Sequence, residues 1–209
     1  MRTLQTVTLL VATLSTGLMA GLFAAFSYAV MPGLGRSSDR TMVEAMQNIN
    51  KSILNPAFML PFMGAIPFIA LAAFLAWRGH GRSALPWLLA ALVIYLVAFF
   101  VTSGVNVPLN DQLAKAGDPL HIKHLAAVRE HFEHKWVAWN VVRTVLHVAA
   151  FGCLAWALVL YGAGRLHESK GANPPARQPA SGWGAPASGW EQPASGWEPP
   201  TAQTYPNRP

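Results

Sequence analysis

Polar and apolar positions alternate along this chain on the scale of whole helices. Four stretches, 3–35, 52–77, 83–110 and 144–164, contain no Asp, Glu, Lys or Arg. Each exceeds the ~20 apolar residues that a spanning helix needs. The pattern predicts an all-α, four-transmembrane-helix bundle with spans at about 4–30, 56–77, 84–107 and 138–162. The first connection, SSDRTMVEAMQNINKSILNP, has its own period: Met42, Met46, Ile49 and Ile53 recur at helical spacing behind Ser38 and Asp39. That predicts a short amphipathic helix capped by Ser38 or Asp39. Asn55-Pro56 then reads as a cap and first helical position for the second span. Asp118-Pro119 reads as the same device before a charged helix that feeds directly into the fourth span.

Composition identifies the solvent. Of 209 residues, 53% are hydrophobic and 11% charged, against roughly 25% charged in a soluble domain. The lipid bilayer is therefore the expected partner, and nucleic acid is not. The first apolar stretch is too long for a secretory signal and lacks a small-x-small cleavage pattern, so it reads as an anchor. Cys153 stands alone in the fourth span and can form no intrachain disulfide. Gly17 and Gly21 form a G-x-x-x-G that suggests close helix packing; a homo-oligomer is compatible with this reading.

Lys and Arg are densest in the short segments beside the termini and between spans two and three: Arg2, Arg78, Arg82, Arg165 and Lys170. By the positive-inside rule this predicts a multi-pass cell-membrane protein with both termini cytoplasmic. Trp77 and Trp87 would flank one surface, and Trp136 with Trp139 the other. The membrane domain is assigned to residues 1–167. Residues 168–209 are rich in Pro, Gly and Trp and repeat PASGW three times at seven-residue intervals. Such a composition cannot bury enough apolar area to offset its ordering entropy, and predicts a disordered cytoplasmic tail, either a spacer or a segment whose tryptophans bind a partner or the membrane interface.

The fourth span poses the chemical question. Asn140, Arg143 and His147 lie within about 60° of one another on one helix face. A buried Arg costs at least ~2.5 kcal/mol even on the lenient insertion scale, and no acidic residue shares its depth in any span. Its counterion is expected to be a loop carboxylate, such as Asp111, Glu44 or Glu133, or else a ligand. Asn106 and Asn110 bracket Pro108, where the third span must end or kink. Their amides either satisfy backbone groups released there or line a site. His147 reads either as a hydrogen-bonded bundle histidine or as a general base. Trp136, Trp139 and the methionines of the first connection would line the same pocket.

AMQNINKSILNPAFM, NVPLND and WVAWNVVRT resemble, in order and spacing, signature segments of the anthrone-oxygenase-like family of small four-helix membrane proteins. The resemblance covers about residues 4–160. It places Asn50, Asn55, Asn106, Asn110, Asn140 and Arg143 in the motifs. The position after Asn140, commonly His in that family, is Val141 here, so any role of that His is either lost or passes to His147. The resemblance implies oxygenation, without a cofactor, of a flat, phenolic, membrane-soluble substrate. Arg143 and the asparagines would stabilise an oxyanion, Trp136 or Trp139 would stack on the rings, and His147 would act as base. The alternative is a non-catalytic membrane protein that uses the pocket for a lipid or other small hydrophobic molecule, or for assembly with a partner subunit.

Metal chemistry has weaker support. His121, His124, His131 and His134 form two H-x-x-H pairs, but the pairs are about 15 Å apart on a helix and cannot close one site alone. No phosphate loop, dinucleotide fingerprint or Ser/His/Asp order is present.

Overall fold

A computed structural model of the chain describes residues 2–79 and 81–172. The PASGW repeats lie outside the described residues. Five helices run in order: α1 (Arg2–Gly35), α2 (Asp39–Ser52), α3 (Pro56–Arg78), α4 (Arg82–Lys115) and α5 (Leu125–Ala172). Helices α1, α3, α4 and the part of α5 up to Leu166 are long and apolar enough to cross a membrane. The protein is an all-helical, multi-pass membrane bundle, with no strand among the described residues.

The caps follow the sequence. Ser38 Oγ accepts from the Thr41 amide at 3.2 Å, and Asn55 Oδ1 accepts from the Phe58 amide at 3.2 Å. Ser38, rather than Asp39, is the cap of α2; Asp39 falls in its first turn and Lys51 in its last, both matched to the helix dipole. Asp118 departs from its expected role. Its carboxylate accepts from the Leu120 amide at 2.9 Å and contacts His121 Nδ1 at 3.0 Å, closing a local turn, and α5 begins only at Leu125. That backbone N–H holds the Asp118 carboxyl below its ordinary range.

Two helices contain a wide π-helical turn, Phe26–Val30 in α1 and Thr102–Asn106 in α4. In each, the amide that follows reaches back five residues, Met31 to the Phe26 carbonyl and Val107 to the Thr102 carbonyl. Each turn lies just before a proline, Pro32 or Pro108, whose ring would clash with the carbonyl four residues earlier in a regular helix. The widened turn absorbs that conflict, so the helix with Pro108 neither ends there nor breaks. It runs on to Lys115.

The half of the bundle nearest the termini is apolar and rich in alanine. Ala12, Ala65, Ala72, Ala91, Ala150 and Ala157 are fully buried around Leu9, Ile69, Leu88, Tyr95 and Leu154. Small side chains let the helices approach closely, as lipid-solvated helices require. Gly17 follows the same logic, since a Cβ there would meet Phe151 Cε2 at 2.9 Å, whereas Gly21 has nothing within 4 Å. Only one glycine of the G-x-x-x-G is packed within the chain.

The far half is organised differently. There α2 lies across the ends of α4 and α5, burying Met42, Val43 and Met46 against Leu109, Leu113, Phe132 and Trp136. Gln47 Nε2 fastens it by donating to the carbonyls of Leu113 and Gly117 at 2.9 and 3.0 Å. Arg129 fastens the turn before it, donating to the Gly35 and Ser37 carbonyls, to Asp39 at 3.0 Å and to Glu133 at 2.6 Å. These ties make α2 a roof.

Candidate functional site

Beneath that roof is a cavity of about 360 Å³, inside the ~300–1,000 Å³ range of small-molecule sites. Its walls are aromatic: Phe23 and Phe26 from α1, Phe58 and Phe62 from α3, Phe99 from α4 and Trp136 from α5. The π turns contribute Phe26, Thr102 and Ser103. Asn50 and Lys51 come from α2, Asn110 and Asp111 from α4. One cation reaches in from the bundle side, Arg143.

Arg143 is 6% exposed. Its Nε donates to Asn140 Oδ1 at 2.9 Å, and its guanidinium carbon lies 4.2 Å from the Phe23 ring centroid and 5.1 Å from that of Trp136. Aromatic faces of this kind offset part of the cost of a desolvated cation. Among the described residues no carboxylate lies within ion-pair distance of Arg143, and its Nη groups make no hydrogen bond. Glu133, one expected counterion, is occupied by Arg129. Asp111 shares the cavity wall without pairing to Arg143.

Asn140 is the anchor of the cation. Fully buried, it donates through Nδ2 to the Phe23 carbonyl at 3.1 Å and to Ser27 Oγ at 2.8 Å, leaving Oδ1 for Arg143. Ser27 and Thr144 are 3.1 Å apart through their hydroxyls, continuing the link between α1 and α5. Asn106 and Asn110 serve α5 instead of the backbone around Pro108. Asn106 Nδ2 donates to the Trp136 carbonyl at 3.2 Å, and Trp136 Nε1 donates to Asn110 Oδ1 at 2.7 Å. Together they fix the indole that forms one wall.

Other expected members stand elsewhere. His147 is fully buried between the rings of Phe23 and Tyr95, at 4.8 and 4.9 Å, and does not line the cavity. Its Nδ1 donates to the Arg143 carbonyl at 2.7 Å, and its Nε2 is buried with no partner among the described residues. Trp139 is 39% exposed on the bundle surface, where an interfacial tryptophan belongs. Met42 and Met46 pack in the roof's core, and the methionines in the wall are Met59 and Met63 of α3. The phenylalanines were not anticipated.

The histidine-rich segment does not converge. No group of three or more His, Cys, Asp or Glu side chains is placed to hold a metal among the described residues. His124 and His131 instead border a separate apolar cavity of about 300 Å³ between the ends of α4 and α5.

Residues 58–153 match the family model described as anthrone oxygenase. Over this segment the chain is similar to the anthrone oxygenase family. The segment contains nearly all of α3, all of α4 and the first half of α5, hence Asn106, Asn110, Trp136, Asn140, Arg143 and His147. Helices α1 and α2, which supply Phe23 and Asn50, lie outside the anthrone oxygenase match. No curated protein and no solved structure matches the chain.

Proposed function

We propose that the cavity binds a flat, phenolic, membrane-soluble substrate and that the protein oxygenates it in the manner of an anthrone oxygenase. The observation that carries this reading is Arg143, a buried guanidinium turned into an aromatic-walled cavity with no carboxylate partner among the described residues. A cation in that position is complementary to an oxyanion formed on a ring system stacked among phenylalanines.

The chemistry that fits needs no redox group from the protein. Loss of a proton from the methylene carbon of an anthrone leaves an enolate, whose negative oxygen pairs with Arg143. The electron-rich carbon opposite it bonds to dioxygen, giving a hydroperoxide after a proton is returned. Loss of water from that adduct forms the second carbonyl, so anthrone and O2 give anthraquinone and H2O. Asp111 is the carboxylate in the cavity wall, and in this reading it accepts the first proton. His147, screened by Phe23, holds the backbone at Arg143 instead of acting as base.

On this reading the termini are cytoplasmic and the cavity lies at the opposite membrane face. A second reading, a lipid-binding protein without catalysis, is favoured by the exposed apolar residues in the cavity wall, Leu54 at 68% and Met63 at 47%. They face the surrounding medium and would admit an acyl chain as well as a ring system.

Incubation of the purified protein with anthrone in air decides between them. Stoichiometric anthraquinone formation and O2 uptake, abolished by Arg143→Leu and reduced to a small remainder by Arg143→Lys, support oxygenation. Lysine keeps the charge but lacks the planar fork. Turnover unaffected by either substitution would sink the proposal, and co-purified phospholipid with no turnover would establish the second reading.

A further inference from the structure

Asn50 has no explanation in the packing of the fold. It sits in the last part of α2 and lines the cavity, and its Nδ2 is buried with no hydrogen-bond partner among the described residues. A buried amide donor left unpaired is destabilising and uncommon in native structures. The neighbouring Gln47 shows the contrast, since both bonds of its amide nitrogen hold the roof in place.

The position of Asn50 relative to Arg143 defines a direction. Helix α2 packs over Leu109, Leu113, Phe132 and Trp136, so it covers the cavity at the depth of Trp136. Arg143 is seven residues further along α5, a rise of ~10 Å. Its side chain leans back toward the helix N-terminus, as its approach to the Trp136 ring shows. A cation therefore lies at the floor and an unused donor at the roof, with aromatic walls between them.

We propose that Asn50 is the second polar contact of the cavity. Its amide N–H donates to an oxygen on the ligand edge opposite the one that Arg143 holds. The preferred occupant is then a flat tricycle with two opposed oxygens. This rests on the oxygenation reading, and it extends that reading: the oxygen that Asn50 meets is the one newly bonded to carbon. Asn50 is thus a specificity residue that favours the oxygenated ring over its precursor.

Two inert tricycles test it in the full-length protein in lipid nanodiscs: 9,10-anthraquinone, with opposed carbonyls, and xanthone, with a weakly accepting ring oxygen in place of the second. The expected result is wild-type affinity ~10-fold higher for anthraquinone, the scale of one satisfied buried hydrogen bond. Asn50→Leu should bring the two within about twofold while leaving xanthone affinity unchanged. Asn50→Ala should do the same, which guards against overfilling by leucine. Equal wild-type affinities, or a loss that falls on both compounds alike in either variant, would overturn the assignment of Asn50 and leave the cavity reading standing. If wild type binds neither compound, the cavity reading falls and this inference with it.

Discussion

The same substitution at two arginines should have opposite consequences. Arg129 bonds to two carboxylates and two carbonyls, with its own side chain 15% exposed. The Asp39 pair is partly solvated and contributes little. The carbonyl bonds and the Glu133 pair carry more, so Arg129→Leu should cost about 2 to 4 kcal/mol. For Arg143→Leu the contributions nearly cancel. The substitution removes a charged hydrogen bond to Asn140, ~1.5–3 kcal/mol, and contacts with two aromatic faces, ~2 kcal/mol. It also relieves a burial cost of at least ~2.5 kcal/mol. The expected net change is within about 2 kcal/mol in either direction. Both variants can be unfolded reversibly with SDS in mixed micelles, and their affinity for 9,10-anthraquinone measured in nanodiscs. Arg129→Leu should lose stability and keep most of its affinity; Arg143→Leu should keep stability and lose affinity. If Arg143→Leu proves as destabilising as Arg129→Leu while binding is untouched, the cation is a packing device and the reasoning from its missing counterion is wrong.

Asn140→Ala breaks the links to Phe23, Ser27 and Arg143 together, and should cost more stability, about 2 to 4 kcal/mol in the same SDS titration, than Asn50→Ala, which breaks none. Gly21→Ala should be neutral or stabilising by up to ~1 kcal/mol in monomeric preparations; a loss of oligomer in the same variant would show that a second copy uses that open face. Trp136→Phe keeps the ring wall but removes the bond to Asn110, so ligand affinity should fall several-fold by titration while the helix content seen by circular dichroism is unchanged. A reporter fused after Lys170 should be active only in the cytoplasm, with tags between Ser37 and Lys51 accessible outside; cytoplasmic labelling of those tags would reverse the orientation.

The spans were legible because charge is so costly in lipid that its absence marks them, and Ser38 and Asn55 were legible because helix caps are chemically narrow. Arg143 and Asn140 stood out for a related reason: polar groups at that depth need a purpose. The π turns left only an indirect trace. Pro108 and Pro32 mark where a regular ladder fails, but whether the helix ends, kinks or widens depends on neighbours that the local sequence does not name. Helical angle placed His147 on the same side as Arg143, yet angle says nothing of depth, and Phe23 fills the space between it and the cavity. The phenylalanine walls were hidden because a phenylalanine facing lipid and one facing a ligand read alike in a membrane span.

The two π turns also bear on how this cavity tolerates length changes. A π turn holds one residue more than the α-turn it replaces, and everything beyond it is rotated by about 100°. Phe26 and Asn106 are buried in these turns, and Met31, Leu109 and Leu113 beyond them meet α2 from that rotated position. Deleting a single residue within 26–30 or 102–106 would let the turn relax to α geometry without shortening the span appreciably. The membrane half near the termini would not register the loss. The far half would turn like a key, carrying buried residues to the lipid face and closing or reshaping the cavity. Single-residue deletions in these two turns would therefore be silent for membrane insertion and decisive for what the protein can hold.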